Sequence, residues 1–224
     1  MNTMKRLYFY GMAFVALVVT TNGASQLLAY LLDWVSGRQI AGDVVERVSL
    51  GLALVVVGAP LWFFHWVYVQ RQVERDSSEG GAILRKLYLY GFMFLAAIIV
   101  FVAERSLLVW VLGSDTFDSI WVGQFVMWGA VWAYHWTVER REGEASPGGR
   151  TLRRWYVYMT SVYALVVLGS GIGAVLGLLL EGLYDALVNV PLLALERDLW
   201  GRAMHIGLTS VITGGVWWAF HWLY

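Results

Sequence analysis

The chain has 224 residues, of which 59% are hydrophobic and 14% charged, and a mean hydropathy of +0.61. Soluble domains carry roughly 45–50% apolar and 25% charged residues, so this is not a soluble globular composition. The net charge of zero gives no global field toward nucleic acid, and the lack of Cys excludes disulfides, thiolate metal sites, iron–sulfur clusters and cysteine nucleophiles.

Six apolar runs are predicted to cross a bilayer core of about 30 Å as helices. They lie at about 7–32, 48–69, 87–112, 119–138, 155–180 and 203–224. Runs such as "AFVALVV" do not alternate as membrane β-strands do. The first run follows Lys5-Arg6 but is too long for the h-region of a signal peptide, and no A-x-A site ends it. It carries Asn22 and Gln26, spaced i, i+4 and so on one helix face. That face is expected to hydrogen-bond across helices, with Gln124, Thr209, Ser210, Thr213 and His205 as partners; the alternative is that it lines a substrate pocket.

The third run contains Glu104-Arg105 near its outer end. Intramembrane ionisable residues are functional candidates by default, but here structural pairing is the preferred reading. In the fifth run Gly169, Gly173 and Gly177 recur every four residues and are expected to form a close helix-packing face. "GSGIGA" fits G-x-G-x-x-A literally, yet no strand precedes it, so it is no dinucleotide fingerprint. The loop at 181–202 is mixed in polarity, and a short interfacial helix is expected near 183–200, broken or started by Pro191. The linkers "QRQVERDSSEGGAILRK" and "ERREGEASPGGRTLRR" are charged and rich in Gly and Ser, and read as solvated and flexible.

Two motifs recur. Arg6-Leu7-Tyr8-Phe9-Tyr10 returns as Lys86-Leu87-Tyr88-Leu89-Tyr90 and as Arg154-Trp155-Tyr156-Val157-Tyr158. Trp62-Phe63-Phe64-His65-Trp66 returns as Trp132-Ala133-Tyr134-His135-Trp136 and as Trp218-Ala219-Phe220-His221-Trp222. Each tyrosine start opens a two-run unit and each His-Trp word closes it. The expected organisation is therefore an all-α membrane protein of six transmembrane helices in three parallel two-helix repeats, at 1–76, 77–146 and 147–224, together one membrane domain. Such repeats can close around a pseudo-threefold axis or pack side by side. Eleven of the sixteen Lys and Arg lie at the N-terminus and in the linkers, so both termini are expected to be cytoplasmic.

The thrice-written starts and words resemble an uncharacterised bacterial integral-membrane family, a domain of unknown function built of such hairpins. The resemblance spans nearly the whole chain. It implies a bacterial inner membrane and a multi-span bundle, and it implies no activity.

The words and the tyrosine pairs are predicted to share the cytoplasmic headgroup level. There His65, His135 and His221 read first as interfacial anchors, since a ring with a polar tip suits that zone. The sharper readings make them ligands of haem or a metal, or a pH-sensitive gate. The sequence has no H-E-x-x-H, no G-x-S-x-G and no P-loop, so no enzyme and no metal site are expected. The leading expectation is a non-enzymatic membrane protein that acts by binding or assembly, with the lipid bilayer and other membrane subunits or further copies of itself as partners, and no nucleic acid. The alternatives are a small channel or transporter with its path along the repeat axis, or an electron-transfer subunit holding haem b or quinone. No cofactor is expected under the leading reading.

Overall fold

The computed structural model describes residues 1–38, 44–113, 115–143, 146–188 and 197–223, with the side chains of Arg197 and Asp198 excepted. Six long helices follow one another: α1 (Thr3–Val35), α2 (Val44–Arg75), α3 (Ile83–Val111), α4 (Ser119–Glu142), α5 (Pro147–Val188) and α6 (Arg197–Leu223). A single 3₁₀ turn at Ser77–Gly81 joins α2 to α3, and no strand occurs among the described residues. Asn2 caps α1 by accepting the Lys5 amide, and Asp118 caps α4 by accepting that of Ile120. Gly143 closes α4 at φ +68°, a left-handed conformation that glycine takes without a Cβ penalty.

Among the described residues four helices, α1, α2, α3 and α5, are long and apolar enough to cross a membrane, against the six expected from the sequence. α4 and α6 fall short because of their aromatic content. α4 carries Trp121, Trp128, Trp132, Tyr134, His135 and Trp136, and α6 carries His205, Trp217, Trp218, His221 and Trp222. Such rings have polar tips that prefer the interface to hydrocarbon. Large apolar side chains such as Val56, Phe63, Val166 and Leu180 stand exposed along the helices, as on a surface that hydrocarbon covers.

Two other expectations give way. α5 continues unbroken for 42 residues, so 183–188 extend that helix rather than starting an interfacial one. The rest of the expected interfacial helix, Pro191 included, falls at 189–196, outside the described residues. Nor is the first linker a flexible solvated strap. α2 runs through it to Arg75, the 3₁₀ turn follows directly, and Glu79, Arg85 and Lys86 are buried.

The chain divides into two compact units. The first comprises Met1–Ala103 and Asp118–Tyr156, and the second Glu104–Phe117 and Val157–Tyr224. In the first, small residues bring backbones together. A Cβ on Gly23 would sit 2.7 Å from the Leu54 Cβ, and one on Gly58 would sit 2.5 Å from the Thr20 hydroxyl, so α1 and α2 cross closely. A Cβ on Gly123 would collide with the carbonyl of Ser25, so α4 meets α1 in the same way.

In the second unit the close face is not the expected one. Gly169, Gly173 and Gly177 are exposed, and a Cβ at any of them would meet nothing within 4 Å. The contact is made at Gly171, where a Cβ would sit 2.8 Å from the Gly207 carbonyl, and at Gly214, where one would sit 2.6 Å from the Leu168 nitrogen. The Gly169, Gly173 and Gly177 stripe has the regular spacing, yet α6 packs on the neighbouring face, where Gly171 meets Gly207 and Ser210, and Gly214 meets the backbone of Ala164 and Leu168.

Candidate functional site

At one end of the first unit, the second half of α1, the start of α2 and the start of α4 surround a polar cavity of about 370 Å³. Asn22, Ser25, Gln26, Tyr30 and Asp33 line it from α1, Arg47 from α2, and Asp118, Ser119 and Gln124 from the head of α4. The i, i+4 pairing of Asn22 with Gln26 aims both amides inward, and the Gly123–Ser25 approach sets Gln124 beside them.

The expected cross-helix bonds are not made. Asn22 donates to the Val18 carbonyl of its own helix at 3.0 Å, which leaves its amide oxygen available. Gln26 and Gln124 hydrogen-bond no described residue, although both are half-buried. Thr209, Ser210 and Thr213 belong to the second unit and bond carbonyls of α6. The charges lie toward the loop end. Asp33 accepts the Ser119 hydroxyl at 2.7 Å, and Asp118 is occupied in part by its capping bond to the Ile120 amide. Arg47 is exposed and pairs with no described residue.

The three histidines are elsewhere, and they are buried rather than facing lipid headgroups. In each, Nδ1 donates to the carbonyl four residues earlier: Leu61 at 2.7 Å, Val131 at 2.8 Å and Trp217 at 3.0 Å. A carbonyl can only accept, so Nδ1 carries the proton in all three rings. In His135 the remaining Nε2 takes the Tyr88 hydroxyl at 3.2 Å. In His65 the Nε2 is buried without a hydrogen-bond partner. The ring packs beside Tyr8 and Phe9, at centroid distances of 5.6 and 5.4 Å. His221 lies in the second unit. Among the described residues no three His, Asp or Glu gather as a metal would need.

The first two tyrosine starts are tied down by carboxylates that the sequence did not single out. Arg85 is fully buried and donates to Glu142, to Gln70 at 2.7 Å and to Tyr10 at 3.3 Å, with its guanidinium 5.3 Å from the centre of the Trp66 ring. Lys86 reaches the other Glu142 oxygen at 3.2 Å, and Tyr90 donates to Glu139 at 2.6 Å. Glu79 receives two bonds from Arg6, each 2.8 Å, and the amino group of Met1. Those Arg6 bonds, helped by the amino group and opposed by burial, hold the Glu79 carboxyl down to about 2.

Glu104 and Arg105 take neutral partners in the second unit rather than other charges. Trp217 donates to Glu104 at 2.5 Å, and Arg105 donates to Ser210 at 3.1 Å. Sequence reasoning found Asn22, Gln26 and Gln124 but did not assign Tyr30, Asp33, Arg47, Asp118 or Ser119 to a site. An available signal was Asp118-Ser119, an N-cap that places a helix start, and with it Gln124, at the loop end.

A family described as a domain of unknown function (DUF5671) matches residues 6–130. The chain belongs to this family. The DUF5671 segment contains every residue that lines the polar cavity, and it ends before His135 and His221. No curated protein and no solved structure matches the chain.

Proposed function

We propose that this is an integral protein of a bacterial inner membrane that acts by binding, without catalysis or a cofactor, and that its ligand site is the polar cavity of the first unit. In this reading all six helices cross the bilayer as three parallel hairpins, both termini are cytoplasmic, and the cavity opens on the outer side. Further membrane subunits or copies of the chain are its partners within the bilayer.

The observation that carries the reading is the pair of half-buried amides, Gln26 and Gln124, that face a 370 Å³ space without hydrogen-bond partners among the described residues. Polar groups held in a membrane bundle are costly unless they serve packing or a ligand, and packing partners are absent among the described residues. The volume falls in the range of roughly 300–1,000 Å³ of small-molecule sites.

The chain has no native Cys, so a single introduced thiol reports its own environment. Gln26→Cys in intact spheroplasts is expected to react with a membrane-impermeant thiol reagent, whereas Ser78→Cys, on the opposite side, reacts after permeabilisation. Absence of reaction at Gln26→Cys under both conditions would overturn the reading.

A second reading, in which the cavity is the outer half of a transport path, is favoured by its reach to Asn22, midway along α1. It requires counterflow of a bound solute in proteoliposomes, which a pure binding protein does not give.

A further inference from the structure

The groups that line the cavity are arranged by charge along its depth. Asn22, Gln26 and Gln124 supply neutral amides at the inner end, each able to donate or accept. Toward the loops, Asp33, Asp118 and Arg47 supply two carboxylates and one guanidinium on separate helices or caps.

Each of these groups keeps capacity for a ligand. Asp33 has given one oxygen to Ser119, and Asp118 has given one to the Ile120 amide, so each carboxylate retains lone pairs. Arg47 donates to no described residue, so its planar fork is available to an acid group. An anion alone would face two carboxylates. A cation alone would face Arg47 and leave the guanidinium unused. An uncharged solute could hydrogen-bond these groups but would compensate none of their charges. A molecule that carries both charges engages all of them.

We infer that the cavity takes a small zwitterion, a protonated amine with an acid group a few bonds away. The amine sits on Asp33 and Asp118, the acid on Arg47, and the polar remainder on the amides of Asn22, Gln26 and Gln124. The inference rests on the cavity being the ligand site. Two sources carry this chemistry: a free amino acid, and the ethanolamine headgroup of a phospholipid, which joins an ammonium to a phosphate.

The test measures the rate at which the full-length Gln26→Cys protein is modified by a membrane-impermeant thiol reagent. The protein is reconstituted in phosphatidylcholine vesicles, whose headgroup has no primary amine. L-Glutamine is expected to slow modification, while N-acetyl-L-glutamine, L-glutamine methyl ester and glycerol do not. Arg47→Gln in the same background should weaken that protection by about tenfold, as for loss of one charge-assisted hydrogen bond. Arg47→Lys, which keeps the charge, should restore part of it.

Vesicles containing phosphatidylethanolamine separate the two sources. Protection by that lipid without added amino acid assigns the site to the headgroup; protection by L-glutamine alone assigns it to a free solute, and either result supports the zwitterion. Equal protection by glycerol, protection that survives Arg47→Gln, or protection by neither zwitterion would overturn the inference while leaving a hydrated cavity. If Gln26→Cys is not modified at all while an exposed Asp115→Cys control is, the cavity itself and the inference fall together.

Discussion

The Tyr88 hydroxyl donates to Nε2 of His135 at 3.2 Å, inside the first unit and away from bulk solvent. With Nδ1 committed to the Val131 carbonyl, this histidine uses both ring nitrogens on its own protein. His65 occupies the equivalent place in its word, yet its Nε2 has no hydrogen-bond partner. The two substitutions His135→Phe and His65→Phe should therefore differ. His135→Phe strands the buried Tyr88 hydroxyl and is expected to cost about 1–3 kcal/mol. His65→Phe loses the same kind of Nδ1 bond to its own helix but strands no partner side chain, and should cost less than His135→Phe. Thermal unfolding of both variants in one detergent checks this; an equal cost for the two would show that the Tyr88 bond contributes nothing.

The glycines make a sharper contrast. Gly123→Leu forces a side chain against the Ser25 backbone and should destabilise by about 3 kcal/mol or more, since neither helix can yield without moving the other. Gly171→Leu should behave likewise against the Gly207 carbonyl. Gly173→Leu meets open space and should stay within about 0.5 kcal/mol of the parent. A ranking by detergent melting that places Gly173→Leu among the damaging variants would contradict this assignment of faces.

Glu142 answers two buried cations at once. Its removal as Glu142→Ala leaves Arg85 and Lys86, both nearly inaccessible to water, without their carboxylate. The expected cost is about 3–5 kcal/mol, the scale for breaking a buried pair on one side. The more instructive variant is the triple change Arg85→Met, Lys86→Met, Glu142→Met, which should recover much of that loss because no charge is left buried. Unfolding curves for the two proteins, measured side by side, decide it.

Glu79 gives the pH dependence its sign. Its carboxyl titrates near 4.5 when unfolded and is held down to about 2 in the folded chain by Arg6. A depressed folded value contributes stability that is fully present above about pH 4.5 and is lost as pH falls toward 2. Glu79→Gln should thus melt below the parent at neutral pH, and the gap between the two should close between pH 4.5 and 2. A gap that widens on acidification would mean that Arg6 does not hold this carboxylate.

By itself the sequence determined the element type and the chemistry of the surface. Long apolar runs can satisfy their backbone in lipid as helices, and the runs around α1, α2, α3 and α5 were legible for that reason. It also marked Asn22, Gln26 and Gln124 as polar residues out of place in such runs. It could not say which face of a helix meets a neighbour. Periodicity groups Gly169 with Gly173 and Gly177, but α6 packs on the neighbouring face that carries Gly171 instead. Nor could it place the linker charges. Arg85 and Lys86 read as solvated until α4 brings Glu142 across 57 and 56 residues to bury them in pairs. The cavity is of the same kind. Asn22, Arg47 and Gln124 are distant along the chain, and they line one space because close glycine crossings fix where α2 and α4 meet α1.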